Sequence, residues 1–159
     1  MQSTDTLLTI AEIAVALAGF SAIVVMLNAR PIREWDDTDR LNLRLLVQVS
    51  AGTIFFSLLP SILIVSIEEP ELWTYALFAY GLLHIIDVSS FLLNMTKETP
   101  NVFRNAASIG TVIAITQLVI AWIGSPTAKE TAYLGTLLWH LYIVFMAFIL
   151  LLYSVRKSK

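Results

Sequence analysis

Apolar residues run along this chain in five long blocks, and the polar residues gather between them. The blocks are Leu7 to Asn28, Leu41 to Ile67, Leu72 to Met95, Val102 to Gly124 and Thr131 to Val155. A hydrocarbon layer of about 30 Å is crossed by roughly 20 apolar residues in helical form, and each block meets that length. Helix is the required conformation, because a chain in lipid must satisfy every backbone N–H and C=O internally and the alternation of a barrel strand is absent. The pattern therefore predicts an all-α, polytopic integral membrane protein with five transmembrane helices in a single domain over residues 1–159.

The intervening stretches agree. "NARPIREWDDTDR" (28–40) reads as a polar hairpin loop, and "SIEEPELW" (66–73) as a short connection with Pro70 suited to the first turn of the next helix. "MTKETPN" (95–101) and "GSPTAKE" (124–130) hold further breakers. Pro60 is the one internal proline and predicts a kink in the second span. "SAGT" at 50–53 and "SIGT" at 108–111 match in the second and fourth spans, and the following spans carry "GLLHII" and "LLWHLY". This is the pattern of a duplicated two-helix hairpin preceded by one extra helix.

Composition sharpens the class. Of 159 residues, 57% are hydrophobic and only 14% charged, which excludes an ordinary soluble domain. Nine of the ten Lys and Arg residues fall on one side of the predicted spans, with Lys129 alone on the other. The N-terminus is thus expected outside and the C-terminus in the cytoplasm, in a bacterial inner membrane. The first span lacks a basic leader and a small-residue cleavage site, so it is expected to be a retained helix. Asp5, Glu68, Glu69, Glu71 and Glu130 then form an acidic outer rim that would concentrate cations. The absence of cysteine excludes disulfides and thiol chemistry. No Gly-rich phosphate loop, metalloprotease pair, hydrolase elbow or nucleic-acid signature occurs, and no enzymatic activity is expected.

Ionisable and amide side chains inside the apolar blocks are the functional candidates, because a bilayer makes them costly. Glu12 shares a helical stripe with Ala16, Gly19 and Ile23, beside Ala11, Ala14, Ala18 and Ala22. Small residues permit close helix approach, and copies gathered about an axis would make Glu12 a cation-selecting ring. Gln48, Thr53, Asp87 and Gln117 complete the predicted ion pathway, with Ser50, Ser57, Thr111 and Thr116 as further oxygen ligands. The alternative to snorkelling or pairing of Glu12 with Thr9 is thus a homo-oligomeric cation pathway without a cofactor.

Two other readings compete. His84 and His140 are the ligand set of a bis-histidine haem b or part of a transition-metal site, which would make the protein redox-active. In the structural reading of the same residues, His84 bonds its neighbour Asp87, three positions on, and Asp87 pairs with Arg44 or Gln48. The third reading is a membrane anchor or accessory subunit whose basic face, Arg30 to Arg44 with the terminal "RKSK", docks a cytoplasmic protein partner or anionic lipid. Trp73 and Trp122 are expected in an interfacial belt and Trp35 in the cytoplasmic loop.

Overall fold

A computed structural model describes residues 3–28, 31–69, 71–97 and 99–157, the last three by backbone alone. It is all-helical. The helices are α1 (Thr4–Leu27), α2 (Asp37–Leu63), α3 (Glu71–Leu93), α4 (Asn101–Ile123) and α5 (Pro126–Lys157), with a single 3₁₀ turn at Ile32–Glu34. All five helices are long and apolar enough to cross a membrane. Pro70, Arg30 and the end of the "RKSK" tail lie outside the described residues.

Three boundaries differ from expectation by four residues or more: both ends of α2 and the start of α5. Helix α5 begins at Pro126 rather than Thr131, because proline suits a helix's first position. The segment 28–40 is only partly loop, because the Asp36 carboxylate accepts a hydrogen bond from Asp39 N–H at 2.8 Å and starts α2 at Asp37. Asp37 and Asp39 in that first turn also suit the positive end of the helix. At the other end α2 stops at Leu63 rather than Ile67, in a turn closed by Ser66 N–H to Leu63 C=O at 3.0 Å. Pro60 is accommodated inside α2.

The chain forms two compact units. Unit 1 comprises residues 1–57 and 138–159, and unit 2 residues 58–137. In unit 1, Phe20 of α1 meets Phe148 of α5 with ring centroids 5.8 Å apart, and the Ser154 hydroxyl of α5 donates to the Asp39 carboxylate of α2. Trp35 is buried there with Leu46 and Leu151 in the apolar core, so this loop residue is packed rather than surface-bound. In unit 2, α3 packs along α4. Trp73 and Tyr80 of α3 take Tyr133 of α5 between them, at 5.6 and 5.3 Å. Lys129 reaches across to donate to Thr74 Oγ1 at 2.8 Å.

The exterior is as apolar as the core. Leu93, Trp122, Ile123, Val112, Ile62 and Met26 are all largely exposed, the surface that hydrocarbon rather than water would cover. Trp122, near the end of α4, keeps the outward position expected of an interfacial tryptophan; Trp73 does not, because Tyr133 covers it.

Candidate functional site

The polar candidates separate into three places. In unit 2, α3 and α4 approach closely at Gly81. A Cβ there would stand 2.9 Å from Leu118 Cδ2 and 3.2 Å from Gln117 Cβ, so hydrogen is the only substituent that fits without a shift. His84, one turn further along α3, meets Gln117 across this contact with Nδ1 and Oε1 2.9 Å apart. Both are buried in the core, at 4% and 1% exposure. With Nδ1 protonated, the imidazole donates to the amide oxygen. The second half of the amide, Gln117 Nε2, is buried with no protein partner.

An aromatic ring lies beside His84. Tyr80 lies 6.4 Å from the His84 ring, centroid to centroid, and stacks edgewise with Tyr133. Asp87, three residues beyond His84, is half-buried on the same helix. The structure thus joins Gln117, read from sequence as a pathway residue, to His84, read as a cofactor ligand. Neither sequence reading brought them together, because 33 positions separate them and no local periodicity links α3 to α4.

In unit 1, α2 turns Ser50, Thr53 and Ser57 inward, and all three are buried. Thr53 donates to the Val49 carbonyl at 2.8 Å, whereas the hydroxyls of Ser50 and Ser57 have no protein partner. Gln48 points the other way: it is exposed and accepts from Arg44 Nε at 3.2 Å. His140 is half-buried on α5 in this unit, while His84 belongs to unit 2. Beside it Trp139 stacks on Tyr142 at 5.5 Å.

On α1 the buried side is Leu7, Ile10, Ala11, Ala14, Leu17, Ser21 and Val24. Glu12, Ala16, Gly19 and Ile23 all lie on the opposite, exposed side. Ala11 and Ala14 therefore serve the core of the chain, and Glu12 and Gly19 do not. Nothing stands within 4 Å of a Cβ built on Gly19. Thr9 is engaged elsewhere, donating to the Asp5 carbonyl at 2.8 Å.

The matched tetrapeptides of the second and fourth spans sit differently. Ser50 and Thr53 are buried, whereas Ser108 is exposed and Gly110 is the buried member of its set. No cluster of three or more histidine and carboxylate side chains able to hold a metal ion occurs among the described residues. No protein-family model, curated protein or solved structure matches this chain.

Proposed function

We propose that this protein is a homo-oligomeric, bacterial inner-membrane protein, N-terminus outside, whose copies assemble through the exposed side of α1 to form a cation pathway. The observation that carries the proposal is the position of Glu12. Its carboxylate lies on the outward side of a membrane-length helix, about 12 Å along from Thr4 at 1.5 Å per residue. Hydrocarbon is a costly environment for that group. Neighbouring copies would remove it from lipid, and Ala16 and Gly19, exposed on the same side, allow their helices to approach closely. Carboxylates brought round an axis then attract cations and exclude anions.

Cation flux into liposomes holding the purified protein tests this. Wild type should pass cations, and Glu12→Gln should lower flux or cation selectivity while the oligomer keeps its size, because shape is retained and only charge is removed. No flux in wild type at any voltage or pH, or identical selectivity in the variant, would sink the reading. Orientation has its own check: cysteine at Ser3 should react with an impermeant thiol reagent added outside intact cells.

One observation favours a second reading. An imidazole whose Nδ1 is held by an amide oxygen, as His84 is by Gln117, has the orientation of a ligating histidine. A haem b ligated by His84 would give the purified protein a Soret band that His84→Ala abolishes. The cation reading expects a colourless protein.

A further inference from the structure

The outward side of α2 changes character along its length. Arg40, Arg44 and Gln48 are exposed in its first half, and Ala51, Phe55 and Leu58 continue the same exposed stripe. At 1.5 Å per residue the 27 residues of α2 span about 40 Å, roughly 10 Å more than a hydrocarbon layer needs. The excess belongs at the Asp37 end, because Ile64 and Val65, just beyond the other end, are apolar and exposed. Arg44 lies about 10.5 Å along the axis from Asp37, and so stands at the boundary between headgroups and hydrocarbon.

Of the two arginines of α2, Arg44 is the one that no carboxylate neutralises among the described residues. Asp37 pairs with Arg40 at 2.7 Å, Asp36 accepts the N–H of Asp39, and Asp39 accepts the Ser154 hydroxyl. Arg44 meets Gln48 instead, one turn deeper, whose Oε1 accepts from its Nε at 3.2 Å. Helical side chains lean towards the N-terminus, so the amide reaches back to the guanidinium. That bond occupies Nε and leaves both Nη groups facing outward chemistry, the planar fork that matches a phosphate.

We propose that Arg44, oriented by Gln48, binds the phosphate of an anionic phospholipid whose acyl chains lie along Ala51, Phe55 and Leu58. Charge selects the headgroup. An anionic lipid supplies the negative charge that Arg44 lacks, whereas a zwitterionic lipid brings a cation of its own to the same place. The apolar half of the stripe selects a lipid over free phosphate, because it begins within one turn of Gln48 and faces outward with it. The site lies on one helix of one chain. It depends neither on Glu12 nor on assembly of the copies, and it holds for either orientation of the chain in the membrane.

Native mass spectrometry of the delipidated protein in neutral detergent, offered equal amounts of phosphatidylglycerol and phosphatidylcholine, tests this. The first lipid bound by wild type should be phosphatidylglycerol, by roughly fivefold or more over phosphatidylcholine. Arg44→Gln should lower that preference about fivefold, and Gln48→Leu, which keeps the charge but releases the guanidinium, at least about twofold. Arg104→Gln removes an exposed arginine of α4 in unit 2 and should leave the preference unchanged. No preference in wild type, or equal losses in Arg44→Gln and Arg104→Gln, would overturn the site, since diffuse attraction to basic residues then accounts for binding. Full preference in Gln48→Leu would overturn the role of the amide. Should Arg44→Gln not fold, Arg44→Lys, which keeps the charge without the fork, should show the smaller loss of Gln48→Leu, and full preference there overturns the proposal. Two further results would reassign the face: displacement of the lipid by inorganic phosphate to free phosphate, and a changed oligomer size in Arg44→Gln to a second copy of the chain.

Discussion

Unit 2 and unit 1 bury polar groups in opposite ways. In unit 2 the polar side chain on α4 is long, and Gln117 spans the gap to His84 on α3. In unit 1 the hydroxyls of Ser50 and Ser57 on α2 have no protein partner. The difference is one of reach. An amide carried two methylenes from the backbone turns a helix contact into a clasp, whereas a hydroxyl on Cβ is matched by its own helix or where another helix brings a longer side chain to it, as Asp39 does for Ser154. The first arrangement ties two helices together; the second adds no tie between helices.

The largest test of this contrast is at Gly81, on which the clasp depends. Gly81→Leu should prevent α3 and α4 from meeting, and Gly81→Ala should cost about 1–3 kcal/mol by overpacking against Leu118. Gly135→Ala, where nothing lies within 4 Å, should be neutral or stabilising by about 0.5–1 kcal/mol through helix propensity. Reversible denaturation in mixed micelles measures all three. Equal losses at Gly81 and Gly135 would show that α3 and α4 do not meet closely at Gly81.

The clasp itself comes next. Gln117→Leu strands a buried imidazole nitrogen and should cost about 1–3 kcal/mol, and His84→Phe should strand the amide at similar cost. The double variant His84→Phe/Gln117→Leu should recover much of the sum, because both unsatisfied groups are gone. Simple additivity would mean the two side chains do not interact.

The smallest effect is expected in unit 1. Ser50→Ala and Ser57→Ala remove no protein hydrogen bond, so each should shift stability by less than the roughly 1 kcal/mol net worth of one. Thr53→Ala, which loses its bond to Val49, gives the reference. A loss at either serine larger than at Thr53 would show that a protein partner holds it, and the contrast with unit 2 would disappear.

Much of this architecture was legible before any coordinates. Block length and backbone satisfaction in lipid require five apolar helices, and the boundaries of α3 and α4 fall within two residues of the apolar blocks. The start of α2 was missed because the cap at Asp36 lies inside a run of charged residues that reads as loop. Trp73 was assigned to the interfacial belt because its position near the end of an apolar block is the same whether the ring faces lipid or Tyr133.

That last case states the general limit. In a soluble protein the two sides of a helix differ in polarity, and the sequence tells which side is buried. Here hydrocarbon and core are equally apolar, so Leu77, fully buried, and Leu83, exposed, are indistinguishable in the sequence. The sequence alone determined the number and length of the helices, and which side chains are chemically costly inside them. Tertiary structure alone decided that Glu12 and Gln48 face outward, that the serines of α2 face inward, and that Gln117 meets His84. Those outcomes turn on packing shape, such as the missing side chain of Gly81, and no pattern of hydrophobicity along one helix encodes the shape of its neighbour.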